Sequence, residues 1–505
     1  MDDPSLAVAG LRAHWIGVLG ALYVAYQLSS FIYNVYFHPL AKFPGPLLAR
    51  GTLLWRLWHT MQGHQPQTMQ RQHQKYGPVV RVSPAELSFS TVQSYRDIYG
   101  FPPPGGEQCI KSDFYDIFGN GFKTGCIASE RDPKVLGQKK KNLLAAFSAK
   151  ALVGQEDIIQ RCIDGFVAKI GPESQKSPNG INMVKWFDMS SFDLLGEMAF
   201  GESFGCIASG KQHFWIDMIL QHVQEITLVD NLRRFELLTG FSKWLLPSLF
   251  MSIRSKHSQY SRDQVKRRLD SESPRQDFFT NLTHKVKSGE VPLEEMTAHA
   301  STLIIAGGET TATTLSAAMF YMLKDPRVAE KLTKEIRQRY KSYDEINSTS
   351  AQQLPYLQAV INEALRMHPS GAHGFPRISP GLTIDGHWVP KGTEVYTCTW
   401  VASHNPAYFE NPDEFRPERW IDPNCKDVKE ASQPFSLGFR ACIGRSFAYM
   451  QMSLALSKIL YTYDMELLDR DIDWATESKH FIMWLKAPYH VRAHNRLSQG
   501  SAPVV

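Results

Sequence analysis

The chain has no closely spaced cysteines and no long block of basic residues. These two absences argue against several kinds of site and partner. Its seven cysteines are Cys109, Cys126, Cys162, Cys206, Cys398, Cys425 and Cys442. An odd number of scattered cysteines argues against a zinc site or a disulfide framework and for a reducing environment. No run of lysine or arginine exceeds three residues, and the net charge is only +5. We therefore expect no nucleic-acid partner.

Nucleotide-binding signatures and domain linkers are also missing. The glycine-rich segment at residues 119–125 has neither the third glycine of G-x-G-x-x-G nor the spacing of a P-loop, so we interpret it as a turn-rich loop. No Gly/Ser-rich linker or internal repeat divides the 505 residues. Helical periodicity dominates residues 140–340. These features predict a mainly α fold with a minor β-sheet region, in one large domain.

The β region is predicted from short alternating segments and turn residues. Residues 79–83 and 86–90 have the pattern of two strands in a hairpin. The pair Asp385-Gly386 predicts a second hairpin turn, and residues 394–401 have the pattern of a further strand.

An uncharged apolar run near the N-terminus is long enough to cross a membrane. Residues 14–41 contain no formally charged side chain, and aliphatic and aromatic residues dominate residues 15–32. Such a stretch can span a bilayer as a helix. Its possible interfacial aromatic residues are Trp15, Tyr33, Tyr36 and Phe37. The alternative is a cleaved signal peptide, but no convincing small-residue cleavage site is present. We expect a membrane anchor at residues 1–42, followed by a single domain at residues 43–505.

One loop near the C-terminus indicates more about chemistry than any other segment. It reads Phe435-Ser436-Leu437-Gly438-Phe439-Arg440-Ala441-Cys442-Ile443-Gly444, and an apolar helical pattern follows it. A cysteine at a helix N-terminus meets backbone N–H groups and the positive end of the helix dipole, which favour the thiolate. Gly438 allows a tight reversal, and Gly444 allows a flat group to approach the backbone. A thiolate presented in this way is suited to bind a haem iron.

A lone cysteine is more often a small buried hydrophobic residue than a metal ligand. The spacing of the residues around Cys442 therefore has to distinguish the two roles. The pattern F-x-x-G-x-R-x-C-x-G resembles the signature of the cytochrome P450 family, the haem-thiolate monooxygenases, at every fixed position. The resemblance implies a haem b cofactor (iron protoporphyrin IX). Cys442 would be the iron ligand, with Phe435 and Gly444 also contributing to cofactor binding.

The resemblance also implies which cations bind the haem carboxylates. Arg377 and Arg440 match positions at which the family binds them. The helix predicted between Asp132-Pro133 and Phe147-Ser148 usually carries a tryptophan or histidine and then an arginine four residues later. Here these places hold Leu136 and Lys140. Lys140 can pair with a carboxylate as a point charge, whereas Leu136 cannot.

A second motif is the E-x-x-R pair formed by Glu363 and Arg366. Residues three apart share a helix face, so their charges can meet, and taken alone this would be a surface ion pair of small value. Together with P-E-R-W at residues 417–420 it matches the order found in the family. The resemblance then implies that Glu363, Arg366 and Arg419 form a buried charge cluster that supports the loop of Cys442.

A third motif, Ala306-Gly307-Gly308-Glu309-Thr310-Thr311, lies within a helical pattern at residues 293–323. Each mid-helix glycine is about 1 kcal/mol less favourable than alanine. Helix packing and a loosened turn that serves function both explain the glycines. The segment resembles the family's oxygen-activation motif, which implies that Thr310 is a hydrogen-bond donor to dioxygen and Glu309 a proton relay.

The resemblance implies a membrane-anchored monooxygenase that hydroxylates or otherwise oxidises an apolar small molecule with O2. By analogy, the residues lining the substrate pocket are Ile305, Ala306, Ala372, Phe375, Phe481 and Ile482. No flavin- or nicotinamide-binding domain is visible, so electrons should come from a separate NADPH–cytochrome P450 reductase. The segment at residues 36–40, before Phe43-Pro44-Gly45-Pro46, is similar to that of filamentous-fungal members acting in secondary metabolism. The alternatives are a haem-thiolate isomerase, dehydratase or peroxygenase, or a non-enzymatic membrane haem-binding protein.

The charges around the apolar run predict its orientation. Lys42, Arg50 and Arg56 follow it, whereas Asp2 and Asp3 precede it. Basic residues favour the cytosolic side of a membrane. We therefore expect a single-pass protein of the endoplasmic reticulum membrane whose catalytic domain faces the cytosol.

Overall fold

Helices form most of the molecule, as the sequence predicts. The structure is a computed structural model that describes residues 4–119, 121–221, 223–235, 247–271 and 277–496. Its helices are α1 (Pro4–Ile32), α2 (Leu47–Gly51), α3 (Leu54–Met61), α4 (Gln65–Tyr76), α5 (Val92–Tyr99), α6 (Pro133–Leu144), α7 (Ala149–Gly154), α8 (Glu156–Lys176), α9 (Met183–Phe200), α10 (Cys206–Ser209), α11 (Phe214–Gln221), α12 (Val223–Leu232), α13 (Pro247–Asp270), α14 (Thr280–Lys287), α15 (Leu293–Lys324), α16 (Pro326–Arg339), α17 (Ser348–Gln352), α18 (Pro355–Met367), α19 (Thr399–Ser403), α20 (Arg445–Thr462) and α21 (Trp474–Glu477). The mainly α prediction is confirmed.

The strands are short and form small sheets beside the helices. They are β1 (Val79–Ser83), β2 (Glu86–Phe89), β3 (Ile110–Lys111), β4 (Ile181–Asn182), β5 (Arg377–Ile378), β6 (Leu382–Ile384), β7 (His387–Val389), β8 (Glu394–Thr397), β9 (Tyr463–Leu467), β10 (Lys479–His480), β11 (Trp484–Leu485) and β12 (His490–Asn495). One sheet has the order β1-β2-β8-β5-β3 and another the order β4-β12-β9, while β6–β7 and β10–β11 are two-stranded. Both predicted hairpins are confirmed, the second through positive φ at Asp385 and Gly386.

The strand predicted at residues 394–401 is wrong in its second half. β8 ends at Thr397, and α19 begins two residues later. The last sheet-like bond joins the Cys398 amide to the Phe89 carbonyl, and the Trp400 amide then donates to the Ala372 carbonyl instead. A tertiary contact therefore overrides the β-propensity of this segment.

The central helix α15 packs along α9, and this contact accounts for its two glycines. A Cβ at Gly308 would lie 2.9 Å from the Phe192 ring, and one at Gly307 would lie 3.0 Å from Leu195 Cδ1. Close helix packing therefore requires small residues here, which was one of the two open explanations. α15 is a continuous α-helix across the motif, so the loosened turn, which was the other explanation, is not present.

The N-terminal helix stands away from the body and is joined firmly at its end. The segment His14–Phe37 has a mean hydropathy of 1.4 and is largely exposed, with only Val35 buried, so its length and composition are compatible with a membrane span. Arg50 donates to the Val35 carbonyl (2.8 Å) and Arg81 to the Asn34 carbonyl (2.7 Å). The predicted interfacial aromatic residues are all exposed: Trp15, Tyr33, Tyr36 and Phe37.

The E-x-x-R motif forms a buried charge cluster. Glu363 Oε1 accepts from Arg366 Nη2 at 2.8 Å and from Arg419 Nε at 2.9 Å, and its Oε2 accepts from Trp420 Nε1 at 2.8 Å. Arg419 also pairs with Asp427. Glu363, Arg366 and Arg419 have no exposed surface, so the prediction of a buried cluster is confirmed. It fixes α18 against the segment that precedes the Cys442 loop.

Replacing Glu363 by glutamine should strongly destabilise the fold. The substitution leaves two buried guanidinium groups short of one negative charge, and such a loss costs about 3–5 kcal/mol of unfolding free energy. Urea unfolding of Glu363→Gln measures the change. The matched control is Glu410→Gln, because the Glu410 side chain is 71% exposed and pairs with Arg416 at the surface; this variant should unfold like the wild type. Equal midpoints for both variants would contradict a structural role for the cluster.

Candidate active site

The loop of Cys442 is held in one conformation by its own backbone. The Cys442 amide donates to the Phe435 carbonyl at 2.9 Å, which closes the loop just before α20 begins. Gly438 has φ +65°, and a Cβ there would overlap the Tyr99 carbonyl oxygen. The predicted tight reversal at Gly438 is confirmed, and this position admits only glycine.

Protein atoms surround the Cys442 side chain, but the side chain remains accessible to solvent. Burial raises the pKa of its thiol, while the Gly444 and Arg445 amides and the charges of Lys140 and Arg445 act in the opposite direction. The side chain nevertheless keeps solvent-accessible surface. A thiol that has many protein atoms around it and is still accessible lies in a concave site. The backbone N–H groups at the start of α20 favour its anion, as predicted.

Three basic side chains meet beside this loop. Lys111 on β3 lies directly opposite Arg377 on β5 in the sheet register. Arg377 Nη1 donates to the Tyr115 hydroxyl (2.6 Å), whereas Lys111 and Arg440 donate to backbone carbonyls. In the part of the chain that the structure describes, no carboxylate forms an ion pair with any of the three. Like charges placed opposite one another are unfavourable, so the cluster lacks an anion.

The pKa values in this cluster reflect that missing anion. Burial and the charges of Arg440 and Arg377 lower the pKa of Lys111 to about 6. Burial and the charge of Arg377 lower the pKa of Arg440 to about 10, and its Nε is buried without a hydrogen-bond partner among the described residues. Arg377 and Arg440 were predicted from the sequence. Lys111 was missed, because no local sequence pattern indicates that this strand residue lies opposite Arg377, which is distant in the sequence.

Lys140 contacts the loop of Cys442 from α6. Its ammonium donates to the carbonyls of Phe439 (2.8 Å) and Ala441 (3.3 Å), so it supports the loop of Cys442 directly. Leu136, one turn earlier on α6, is buried. Pairing of Lys140 with a haem carboxylate stays a prediction.

One face of α15 is accessible in the middle of the molecule. Ile305, Ala306 and Thr310 retain solvent-accessible surface, although the turns on either side are buried. Thr310 Oγ1 donates to the Ala306 carbonyl at 2.6 Å, and Ser370 Oγ donates to the Thr310 carbonyl at 3.1 Å. The helix therefore presents a hydroxyl and two apolar positions to an internal space.

Glu309 belongs to a buried triad of charges. Lys486 Nζ lies 2.9 Å from Asp188 Oδ1 and 3.6 Å from Glu309 Oε1, which also accepts from Thr313 at 2.6 Å. Burial raises the pKa values of Glu309 and Asp188 against the attraction of Lys486. Asp188 and Lys486 were missed from the sequence, although a single lysine within the apolar residues 481–487 is a signal that could have indicated a buried partner.

The remaining predicted pocket residues are brought together from two distant segments. Phe375 is partly exposed, and its carbonyl accepts from the Tyr99 hydroxyl at 2.9 Å. Ala372 is buried and accepts from the Trp400 amide. Phe481 is buried and Ile482 partly exposed, just after β10. Their role in binding a substrate stays a prediction.

Comparison with known proteins agrees with this geometry. The family model described as Cytochrome P450 matches residues 42–493. The chain belongs to the cytochrome P450 family. It is 52% identical over 478 residues to "Cytochrome P450 monooxygenase ORF9" of Penicillium roqueforti, covering 95% of this chain and 94% of the relative. It is 47% identical to "Cytochrome P450 monooxygenase BOT4" of Botryotinia fuckeliana, covering 96% and 93%.

A more distant relative extends the same agreement. "Cytochrome P450 monooxygenase btcC" of Colletotrichum orbiculare is 34% identical over 499 residues, covering 96% of this chain and 95% of the relative. As a member of the cytochrome P450 family, the chain is a haem-thiolate monooxygenase that uses dioxygen, a small-molecule substrate and a redox partner.

The residues present fit the cofactor of a cytochrome P450. A haem needs a thiolate for its iron and cations for its carboxylates. The enclosed but accessible Cys442 and the uncompensated cluster of Lys111, Arg377 and Arg440 offer both. The orphaned Nε of Arg440 is a further donor for an anionic group.

Haem binding to the apoprotein should take up protons through Lys111. Above its pKa of about 6, Lys111 is neutral in the free site, and haem carboxylates beside it would restore the ammonium. At pH 7.5 this uptake of roughly one proton is offset by the proton that the Cys442 thiol releases when it binds iron as the thiolate, so the wild type should show little net exchange, measured by calorimetry in two buffers of different ionisation enthalpy. Lys111→Met should instead release roughly one proton, whereas Lys211→Met, at an exposed site, should behave like the wild type.

The same group predicts a pH dependence of stability for the apoprotein. An unfolded lysine keeps its proton up to about pH 10, so between about pH 6 and that value the unfolded chain binds one proton more than the folded apoprotein. The unfolding free energy should therefore rise with pH across this window, and Lys111→Met should flatten the rise. A variant that retained both effects would contradict the assignment of Lys111 to the anion site.

Proposed function

We propose that this protein is a membrane-anchored monooxygenase of fungal secondary metabolism that oxidises an apolar small molecule. The observation that carries the chemistry is the Cys442 thiol, enclosed within the protein and facing the first amides of α20. The membrane proposal is supported by the exposed apolar segment His14–Phe37. Residues 1–42 would form the anchor and residues 43–505 the catalytic domain, on the cytosolic face of the endoplasmic reticulum membrane. Electrons would come from NADPH–cytochrome P450 reductase.

The cofactor is proposed to be haem b. When bound, it supplies the redox chemistry that activates dioxygen and transfers one oxygen atom to a C–H bond. The task of the chain is to hold and orient this group. Cys442 provides the iron ligand, and Lys111, Arg377 and Arg440 bind its carboxylates. Lys140 and the Glu363 cluster keep the Cys442 loop in position.

Proton delivery is proposed to pass through Glu309 and Thr310. With both carboxyls ionised, the triad of Asp188, Glu309 and Lys486 would carry one surplus negative charge in a buried place. Burial raises the pKa values of both acids, and the two carboxylates raise that of Lys486 although burial opposes it. One proton held by the triad removes the surplus.

The atom that holds this proton can be named. Glu309 Oε1 accepts from Thr313, whereas Glu309 Oε2 is buried and has no hydrogen-bond partner in the described ranges. Because no donor occupies Oε2, a proton can bind there without displacing an existing hydrogen bond. Thr310 follows directly on the helix, and rotation of its side chain away from the Ala306 carbonyl frees Oγ1 to pass a proton into the cavity.

Spectroscopy of the reduced protein under carbon monoxide tests the thiolate assignment. The wild type should show the red-shifted Soret absorption of thiolate-bound haem, because the amides at the start of α20 stabilise the anion. Cys442→Ser should lose this band. Cys425→Ser is the control, since Cys425 is a partly exposed cysteine outside the loop, and it should keep the band. A wild type without the band would overturn the proposed function.

The proton pathway is tested by the fate of electrons in a mixture with the reductase. Thr310→Ala removes the last hydroxyl before the cavity, so the fraction of NADPH recovered as hydrogen peroxide should rise by about tenfold or more. Thr314→Ala is the matched control, because the Thr314 hydroxyl is buried and donates to the Thr310 carbonyl; it should leave the fraction unchanged. An unchanged fraction in Thr310→Ala would show that Thr310 does not pass protons.

A further inference from the structure

The three consecutive lysines of α6 lie in three different surroundings. Lys139 is buried, and its ammonium lies 3.2 Å from Glu295 Oε2. Lys141 is exposed. Lys140, between them, is partly buried and directs its ammonium at the loop of Cys442. The same type of side chain therefore forms a buried ion pair, faces solvent, or contacts the active-site loop, according to its place on the helix.

The loop of Cys442 packs against α6 next to Lys140. Gly137 lies one turn earlier on the helix, and a Cβ there would lie 3.5 Å from Phe439 Cζ. Lys140 Nζ lies 5.7 Å from the centre of the Phe439 ring and donates to the carbonyls of Phe439 (2.8 Å) and Ala441 (3.3 Å). Two of the three N–H bonds of the ammonium are thus used on the loop, which fixes the position of the charge.

One of these two carbonyls connects Lys140 to the cysteine through a single peptide group. The Ala441 carbonyl and the Cys442 amide belong to the same peptide unit, and that amide donates to the Phe435 carbonyl at 2.9 Å. A hydrogen bond accepted by a peptide carbonyl polarises the unit and strengthens its N–H as a donor. Lys140 therefore strengthens the bond that closes the loop.

The charge of Lys140 also acts on the sulfur through space. In the described ranges no carboxylate forms an ion pair with Lys140. Burial raises the pKa of Cys442 and lowers that of Lys140, whereas the charge of each shifts the pKa of the other in the opposite direction. Water screens such an attraction less in a partly buried site than at the surface. The thiolate is therefore the negative charge that Lys140 faces.

We propose that Lys140 is a positioning residue whose charge weakens electron donation from the Cys442 thiolate and raises the reduction potential of the haem. This proposal rests on the proposed function. The potential of a haem depends on the hydrogen bonds and charges around its axial ligand. Reduction adds one electron to the iron–thiolate unit, so a fixed positive charge beside the sulfur favours the reduced form. Transfer of the first electron from the redox partner is then more favourable.

Redox titration of the purified full-length holoenzyme tests this proposal. Lys140→Gln keeps a hydrogen-bond donor but removes the charge, so the equilibrium constant for reduction should fall about tenfold, or about 59 mV for one electron. Lys140→Arg keeps the charge and should restore the constant of the wild type. Lys141→Met is the matched control, because it removes the same charge from the next, exposed residue of α6; it should leave the constant unchanged.

Infrared spectroscopy of the reduced protein under carbon monoxide shows which group Lys140 faces. A thiolate without its counter-charge donates more electron density to the iron and thence to the carbon monoxide. The C–O stretching frequency should therefore fall in Lys140→Gln and be restored in Lys140→Arg. If Lys140 paired with a haem carboxylate instead, its removal would lower the reduction constant but leave this frequency unchanged, because the carboxylate is not bonded to the iron.

Two results would overturn the proposal. Equal reduction constants in the wild type and Lys140→Gln would show that Lys140 acts through its hydrogen bonds alone. A lower constant with an unchanged C–O frequency would assign Lys140 to the haem carboxylates. The red-shifted Soret band in all these variants would show at the same time that Cys442 remains the thiolate ligand, so the proposed function would survive either result.

Discussion

The need to keep the Cys442 thiolate inside the protein is the constraint on which the active site depends. Burial raises the pKa of the thiol, so the anion has to be stabilised by its surroundings. The first amides of α20 and the charge of Lys140 do this from fixed positions. The loop can offer these groups only because Gly438 takes a left-handed conformation and its reversal fits against Tyr99. The electrostatic stabilisation of the thiolate therefore depends on the backbone geometry of this loop.

Charge balance distinguishes two neutral ion clusters from the two clusters that we propose to be functional. Two clusters in the interior are neutral: Glu363, Arg366, Arg419 and Asp427 form the first, and Arg56, Arg233, Arg234, Glu86, Asp230 and Glu394 form the second. Two others are unbalanced: the cations Lys111, Arg377 and Arg440, and the triad of Asp188, Glu309 and Lys486. An unbalanced buried cluster is unfavourable in the isolated protein, and a bound anion or a held proton restores the balance.

The glycines of α15 have two effects: they allow close packing against α9, and they bring Asp188 near Glu309. Gly307 and Gly308 are required for the close approach of α9, since a side chain would meet Leu195 or Phe192. The same approach brings Asp188 of α9 to the level of Glu309, with Lys486 between them. Helix packing thereby creates the environment that raises the pKa of Glu309. The sequence motif marks this place, but the reason for its glycines lies in the neighbouring helix.

Local patterns of the sequence determined a large part of this protein. Spacing alone predicted the loop of Cys442, the Asp385-Gly386 hairpin and the apolar N-terminal helix, because each depends on residues that are neighbours in the chain. Tertiary structure alone decided the end of β8, since the Trp400 amide bonds to Ala372. The tertiary structure also brings Lys111 opposite Arg377 and Lys486 close to Glu309. The burial and pKa of a group depend on what packs around it, and residues hundreds of positions apart leave no local pattern of that contact.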